Sequence, residues 1–340
     1  MQHILLADLP TAAPAFAQLL TQPGLSATAA LCRQAWVLEQ EMPREDAQAA
    51  WLTPAERWLL HALRLSDETE QAPWARLAAQ ADGVAGDFPA DPPLGLLTPV
   101  HLRLGRDSLS LTDPTTLDLQ PGEAQQLFDA VASLFADAGW TLRLATALRW
   151  YVAHPSLAEV VSAGVARAQG RSVAAWMPAG PAARPWRQLL TEVQMTWQHH
   201  PVNEARLARG QCEVNTLWLH GCGSLPPDWR SPLRLAGDDD GMSDPALAAA
   251  LRGLAVLPRA GAVAPLRTFD VRALLSQDPV QGLLALDARL SGAIAQALQQ
   301  AAGVQLTLAG EKRWRTLQIR PLQAWKLWLR TGLPGLFSGL

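Results

Sequence analysis

The chain has 340 residues, of which 49% are hydrophobic and 17% charged, and its formal net charge is −3 at pH 7. This composition excludes an intrinsically disordered chain, which combines low hydrophobicity with high net charge. The near-neutral charge argues against a nucleic-acid partner, because such binding needs a basic surface. Three cysteines are too few for a disulfide framework and match no zinc-ligand spacing, so we expect a reducing compartment, no metal and no cofactor.

Membrane insertion is not expected from the sequence. No stretch approaches the ~20 apolar residues of a spanning helix, and the start, MQHILLADLP, lacks the basic region of a signal peptide. We therefore expect no integral membrane segment and a cytoplasmic protein. The tail PLQAWKLWLRTGLPGLFSGL (residues 321–340) has two readings. A final helix packed on the body is favoured over an amphipathic segment on a membrane surface, because its basic face is small.

The first third of the chain predicts a strand followed by helices. Residues 2–7 (QHILLA) are a short apolar run, which predicts a buried strand. Apolar residues recur at helical spacing from Ala12 to Leu65, which predicts helix throughout. Thr53-Pro54-Ala55-Glu56 is a helix start, with Thr at the cap and Pro in the first turn. Residues 82–96, rich in Gly, Pro and Asp, predict a linker.

The middle third has the pattern of a small α+β domain. Alternating leucines around Gly105-Arg106-Asp107 predict a hairpin over residues 98–111. Residues 121–138 form an amphipathic helix pattern, and residues 141–153 alternate again as strands. This succession of strands, one helix and further strands indicates an α+β domain.

The last part of the chain predicts alternating helices and strands. A helix over residues 186–198 is interrupted at His200-Pro201, and a second short helix ends at Gly210, before a strand over residues 214–221. LRLAG and GLAVLP predict short strands on either side of a helix over residues 246–251. A long helix closed by Gly303 and a final hairpin, VQLTLAG with RTLQIRP, follow. We infer an α/β sheet flanked by helices, with the middle domain inserted into it.

The segment from Trp197 to Gly223 concentrates the polar chemistry of a chain rich in Ala, Leu and Pro. A proline-started helix offers free backbone N–H groups to an anion, and arginine can fork onto a carboxylate or phosphate. We therefore predict a ligand-binding surface made of His200, Asn203, Arg206, Asn215 and His220. The alternative is that the asparagines cap helix and turn ends, while the arginine and histidines lie on a solvated face.

The same segment carries a resemblance to known proteins. It resembles the RpfE-type regulatory proteins of bacteria through Glu192, Met195, His200 to Asn203, Arg206, Gly210, Val214, Asn215, Trp218, Leu219, Gly221 and Gly223. TPVHLRLGRDSLSLTDP and Trp150-Tyr151 are similar to the same family. The HPVN-x-x-R…N pattern is also similar to an inserted domain of archaeal-type cofactor-independent phosphoglycerate mutases, which belong to the alkaline phosphatase superfamily.

The mutase resemblance implies an alkaline-phosphatase-like sheet flanked by helices, with an inserted α+β domain. The first part of the core is then expected at 1–82, the inserted domain at 95–225, and the remaining core with the tail at 226–340. The resemblance also implies two metal ions held by Asp and His ligands. Here Asp8 is followed by Leu9 rather than glycine, no histidine follows His220, and Lys312 and Arg313 stand where anionic ligands are needed.

These departures favour a catalytically degenerate relative of the mutases with a regulatory or small-anion-binding role, whose catalytic residues are unknown. Its expected ligand is a small phosphorylated or carboxylate compound, and a protein partner is a further candidate. Two alternatives stay open. One is an active metal-dependent phosphomutase or phosphatase that uses Asp8, Asp238, Asp240 and Asp278, although Asp238 and Asp240 fit a solvated turn better. The other is an interaction module that binds a protein through exposed tryptophans, of which the chain has 14.

Overall fold

The computed structural model describes residues 1–7, 27–32, 35–42, 50–66, 68–88, 93–105, 108–178, 180–236, 242, 244–271, 279–300 and 303–320. The chain divides into two units. Unit 1 comprises Met1–Leu65, Arg230–Ser243 and Pro258–Leu340, and unit 2 comprises Ser66–Trp229 and Asp244–Leu257. Relative to the predicted boundaries, residues 66–82 and 244–257 belong with the middle of the chain.

Unit 1 is built on a six-stranded mixed sheet in the order β2-β12-β11-β1-β10-β9. Its strands are β1 (Gln2–Ala7), β2 (Trp36–Gln40), β9 (Ser231–Leu235), β10 (Arg259–Asp270), β11 (Val304–Ala309) and β12 (Trp314–Ile319). Strands β9, β10, β1 and β11 are parallel to one another, and β12 and β2 are antiparallel to their neighbours. The predicted first strand and closing hairpin are confirmed.

Helices α1 (Ala27–Cys32), α2 (Pro54–Ala62) and α9 (Pro279–Gln300) belong to the same unit. The apolar face of α9, including Leu286, Leu290 and Ile294, shares a buried cluster with Ile4 and Leu6 of β1. Helix α2 begins where predicted: the Thr53 hydroxyl accepts the N–H of Glu56, and the Glu56 carboxylate accepts the N–H of Thr53. This reciprocal pair fixes the helix start by satisfying two otherwise free donors.

Two predictions of secondary structure are wrong. Residues 36–40, expected as part of a helix, form the edge strand β2 of unit 1, because they pair with β12, and a local pattern does not register such pairing. GLAVLP, expected as a strand, is instead the end of a helix and a turn, and the strand lies at residues 259–270. A short apolar run occurs in buried helices as well as in strands, so its pattern does not distinguish the two.

Unit 2 contains a four-stranded antiparallel sheet in the order β6-β7-β3-β8 and a separate two-stranded hairpin, β4-β5. The strands are β3 (Leu94–Val100), β4 (Leu102–Leu104), β5 (Leu109–Leu111), β6 (Thr141–Thr146), β7 (Arg149–Ala153) and β8 (Thr216–Gly223). The helices are α3 (Trp74–Ala81), α4 (Pro121–Asp137), α5 (Val165–Ala168), α6 (Arg184–Trp197), α7 (Pro201–Ala208) and α8 (Pro245–Gly253).

One face of this sheet packs on α4 and α6. Leu97, Val152 and Leu219 of the strands share a buried cluster with Phe135 of α4 and Trp197 of α6. The amphipathic helix predicted at 121–138 is confirmed at Pro121–Asp137, and the helix predicted at 186–198 begins two residues earlier, at Arg184. The predicted hairpin is divided, because β3 ends at Val100 in the four-stranded sheet while β4 pairs with β5. Arg106 and Asp107 of its predicted turn lie outside the described residues.

Helix α3 packs on β3 and β8 of this sheet, and α8 packs on α3. The contact between α3 and α8 is close: a Cβ placed on Gly253 would lie 1.9 Å from the carbonyl oxygen of Leu77. At the end of α3, Asp82 accepts hydrogen bonds from Arg149 and from the hydroxyl of Tyr151. Within the predicted linker, Asp82 is therefore attached to the sheet of unit 2, and Asp87 forms an ion pair with Arg143 of β6 at 3.8 Å.

The fold class is confirmed as α/β: a central sheet flanked by helices in unit 1, with a second unit of α+β character. In the described part of the chain, no helix combines the length and the apolar composition that a bilayer crossing demands. The tail at 321–340 lies outside the described residues.

Candidate functional site

The polar segment predicted as a ligand surface runs through α6, α7 and β8 of unit 2. Pro201 stands in the first turn of α7, and His200 is the residue that caps this helix. The Nδ1 atom of His200 accepts the backbone N–H of Val202 at 3.2 Å. Burial lowers the pKa of His200, so its ring is neutral at pH 7 and suited to this acceptor role.

Asn203 lies inside unit 2 and is 1% exposed. Its amide nitrogen donates to the carbonyls of Trp197 and Val214, and its amide oxygen accepts the N–H of Val214, each at 2.9 Å. Both donors and the acceptor are therefore occupied by backbone groups. This side chain joins the end of α6 to the chain that enters β8.

Arg206 is 0% exposed and has three separate partners. Its guanidinium donates to the carbonyl oxygens of Cys212 and Leu117 and to the carboxylate of Glu123 at 2.7 Å. Burial opposes ionisation of Glu123, but the N–H of Gln120 and the guanidinium groups of Arg206 and Arg209 lower its pKa. The planar guanidinium group of Arg206 thereby joins α7 to the start of α4.

Asn215 is half-buried and pairs with the backbone of Leu102 in both directions, its oxygen accepting the N–H at 2.8 Å and its nitrogen donating to the carbonyl at 2.9 Å. It also lines an open groove of about 340 Å³. The remaining lining residues are Leu102, Leu109, Thr191, Gln194, Met195, Gln198 and Glu213. This lining offers amide and hydroxyl groups, and its one charged side chain is a carboxylate.

His220 lies apart from the other four, in strand β8. It is 1% exposed, and its Nε2 atom is 3.0 Å from the hydroxyl of Thr98 in β3. Strand alternation directs His220 away from Leu219, which belongs to the cluster under α4 and α6. The structure therefore brings together His200, Asn203 and Arg206 around α7, with Asn215 nearby, and places His220 on the other face of the sheet.

The sequence motif was recognised, but the role of its side chains was not. A buried asparagine that pairs with backbone groups and one that faces a ligand have the same sequence signature, so only the tertiary partners distinguish them. The partly exposed members of the predicted set are His200 and Asn215.

In unit 1 the structure adds two residues that the sequence reasoning missed. Asp270 ends β10 and is 0% exposed, and it pairs in register with Ala7 at the end of β1. Thr268, two residues earlier on the same face, has a buried hydroxyl without a hydrogen-bond partner among the described residues. They were missed because residues 259–270 were not predicted as a strand, although Thr-Phe-Asp after an apolar run was a usable signal.

The acidic residues of the enzyme alternative, Asp8, Asp238, Asp240 and Asp278, all lie outside the described residues. Within the ranges that the structure describes, no three His, Cys, Asp or Glu side chains come together in a way that would hold a metal ion.

The tryptophans proposed for partner binding are mostly core residues. Trp325 and Trp328 lie outside the described ranges, and of the other twelve, Trp36, Trp51 and Trp229 are partly exposed and the remaining nine are buried. The large exposed apolar side chains of unit 2 are instead Leu104, Met195, Leu207 and Val256. A protein partner stays a prediction, without exposed tryptophans in the described chain to support it.

Comparison with known proteins yields similarity at the level of structure. No family model and no curated protein matches the chain. The PH0037 protein from Pyrococcus horikoshii aligns over 94% of this chain and 87% of its own, with 11% sequence identity and a TM-score of 0.51. A cofactor-independent phosphoglycerate mutase from Thermoplasma acidophilum DSM 1728 aligns over 100% of this chain and 95% of its own, with 13% identity and a TM-score of 0.43. The likeness to PH0037 concerns the fold alone.

Proposed function

We propose that the protein is a phosphoglycerate-mutase-like protein of the alkaline phosphatase superfamily that has lost catalysis and acts as a cytoplasmic regulator. Its proposed ligand is a small phosphorylated or carboxylate compound. The kinship rests on the motif from His200 to Gly223, in which the HPVN-x-x-R pattern and the following asparagine are present. The loss of catalysis rests on three departures from the mutase pattern: Leu9 in place of the glycine after Asp8, no histidine after His220, and Lys312 and Arg313 where anionic ligands are needed.

The observation that carries this proposal is the internal use of the motif. All the hydrogen bonds described above for Asn203 and Arg206 are made to other groups of the protein, and both side chains are buried from solvent. A buried, fully partnered arginine stabilises a scaffold, whereas an arginine that binds a substrate phosphate needs donors free to reach it. The motif therefore supports a binding module better than it supports a phosphate-transfer site.

The two accessible members of the set are the side chains that we expect to touch a ligand. His200 lies at the start of α7, and Asn215 lines the open groove beside α6. Because Glu213 also lines this groove, a compound with one anionic group and several hydroxyls fits it better than a highly charged one.

Calorimetry combined with a turnover assay tests the proposal. The intact protein is titrated with glycerol 3-phosphate and with inorganic phosphate, and mutase turnover of 3-phosphoglycerate and phosphatase turnover are assayed with added Mn²⁺, Co²⁺ or Mg²⁺. We expect saturable binding without turnover, weakened in His200→Asn, which keeps a helix-capping side chain while removing the imidazole. Turnover that is proportional to protein and lost in Asp270→Asn would contradict the proposal.

The second candidate is the active metal-dependent phosphomutase or phosphatase. The observation in its favour is Asp270, a buried carboxylate at the end of a parallel strand, because open α/β sheets bind their ligands at the carboxyl ends of such strands. Elemental analysis of the purified protein separates the two candidates. Stoichiometric metal that is reduced in Asp270→Asn favours the enzyme, and metal-free protein that still binds the ligand favours the regulator.

A further inference from the structure

His220 is a buried titratable group to which the proposed function assigns no ligand contact. Its ring lies between the sheet of unit 2 and the helices on the face opposite α4 and α6. On the sheet side, the hydroxyl of Thr98 is 3.0 Å from Nε2. Thr98 follows Leu97, which belongs to the cluster under α4 and α6, so strand alternation directs Leu96 and Thr98 to the opposite face. On that face a Cβ on Gly221, whose positive φ interrupts the alternation of β8, would lie 3.6 Å from Leu96 and 3.2 Å from the Cβ of Trp74 in α3. The ring thus lies in the layer between β8 and the α3–α8 pair.

Helix α8 is attached to unit 2 mainly through α3. None of the residues from Asp244 to Leu257 belongs to the buried cluster beneath α4 and α6. The helix packs mainly on α3, with Gly253 against the backbone of Leu77. In the sequence it follows β9 and precedes β10, both strands of unit 1. Opening of α8 would therefore break its contact with α3 and leave the cluster beneath α4 and α6 in place.

Charged groups lie on the elements that pack on β8 or on α3, those of α6 being on the face of the sheet opposite His220. Strand β3 carries none, and the thiol of Cys222 stays neutral because burial raises its pKa to about 12. The others are Arg76 on α3 and Asp82 after it, Asp244 and Arg252 on α8, His154 at the turn of residues 155–158, and Arg184, Arg187 and Glu192 on α6. Burial lowers the pKa of His220, and the carboxylate of Asp244 opposes that shift.

We propose that His220 makes the packing of α8 sensitive to acid: protonation of its buried ring favours the opening of α8 from α3, while the core under α4 and α6 stays folded. The neutral ring shares a hydrogen bond with Thr98 and needs no counter-charge. An imidazolium in the same place has lost its water, and Asp244, the one carboxylate that acts on it among the described residues, already accepts the N–H groups of Ala246 and Leu247. Opening returns the charge to water.

The sign of the effect follows from the lowered pKa. The closed state disfavours the proton, so its stability is complete above the pKa of an exposed imidazole, about 6.5, and declines as the pH falls below that value. For each pH unit by which the pH falls, the population with α8 open increases by at most tenfold.

Hydrogen–deuterium exchange of the full-length protein tests this proposal. Protection of peptides from residues 244–257 is measured at pH 7.5 and 5.5 and corrected for the intrinsic exchange rate. We expect a decrease of about tenfold in the parent protein, with peptides of α4 and α6 unchanged. His220→Gln, which stays neutral and retains a hydrogen-bonding group for Thr98, should remove the decrease. His154→Gln is the matched control: His154 is a partly buried histidine of unit 2 that stacks on Trp140, and its replacement should leave the decrease intact.

A second variant keeps the proposal testable if His220→Gln does not fold. Asp244→Asn retains a side-chain oxygen for the helix cap but removes the negative charge beside the ring. It should show a decrease in α8 protection at least as large as that of the parent. The proposal is wrong if parent α8 protection is the same at both pH values, if α4 and α6 lose protection together with α8, or if Asp244→Asn removes the decrease.

Discussion

The side chain of Asn203 pairs with the backbone of Val214 as a neighbouring strand would, donating to its carbonyl and accepting its N–H at 2.9 Å each. An asparagine on a helix thereby supplies the hydrogen bonds that the chain lacks just before it enters β8. The third bond, to the carbonyl of Trp197, ties the same side chain to the end of α6. One residue thus joins three segments of unit 2.

Replacing Asn203 should therefore destabilise unit 2. In Asn203→Ala, the N–H and carbonyl of Val214 and the carbonyl of Trp197 lose their partners in a buried place, at a cost of about 2–4 kcal/mol. Urea unfolding followed by tryptophan fluorescence measures the change in the free energy of unfolding. Glu204→Ala, on the exposed side of the same helix, should change it by less than about 0.5 kcal/mol. Equal stability of the two variants would contradict the structural role of Asn203.

Arg206 should not tolerate lysine. The lysine keeps the positive charge but presents a single ammonium group to three acceptors in different directions, so Arg206→Lys should cost about 2 kcal/mol or more in unfolding free energy. Arg209 contacts the same Glu123 carboxylate from a half-exposed position. Arg209→Ala should cost less than about 1 kcal/mol. Thermal and urea unfolding of both variants provide the comparison, and a loss in Arg206→Lys no greater than that in Arg209→Ala would count against the buried fork.

The close approach of α3 and α8 predicts opposite effects for two glycines of unit 2. A methyl group on Gly253 would collide with the carbonyl of Leu77, so Gly253→Ala should destabilise by about 1–3 kcal/mol. Nothing lies within 4 Å of a Cβ on Gly122, in the first turn of α4. Gly122→Ala should be neutral or stabilise by about 0.4–1 kcal/mol, because it restricts the unfolded chain. Denaturant midpoints show whether the two changes differ in sign, and a neutral Gly253→Ala would mean that the helices are further apart.

In unit 1, we expect the buried His3 to make the protein less stable in acid. Burial, aided by the charge of the amino terminus, lowers its pKa to about 4. The folded state then takes up the proton less readily than the unfolded state, so stability is complete above pH 6.5 and declines between pH 6.5 and 4. Between pH 7.5 and pH 4.5 the parent should lose about 2–3 kcal/mol more than His3→Gln. Unfolding free energies at both pH values test this, and parallel losses in parent and variant would assign the acid sensitivity to other groups.

The sequence was informative where local rules decide the structure. The Thr53 to Glu56 capping box and the amphipathic helix at 121–137 follow from short-range patterns and were predicted within one or two residues. Strand β2 was not predicted, because its conformation depends on pairing with β12, and Arg315 of that strand pairs in register with Gln40. A helical spacing of tryptophans through the same region concealed it.

For the candidate site, the sequence singled out a polar segment but did not predict how its side chains are used. Asparagine, arginine and histidine next to glycines indicate either a ligand surface or side chains that hydrogen-bond within the protein. Arg206 is of the second kind, because it donates hydrogen bonds to Glu123, Leu117 and Cys212, and two of these three lie more than 80 residues away in the sequence. Such convergence is a property of the folded chain.

The origin of helix α8 bears on how this protein can be dissected. A fragment cut at residues 66 and 229 would contain the whole sheet of unit 2 yet lack its last helix, which the chain supplies only after returning through β9. Such a fragment would leave the surface of Leu77 and its neighbours bare and prone to self-association. Independent expression of this unit therefore requires residues 244–257 to be grafted onto its carboxyl terminus.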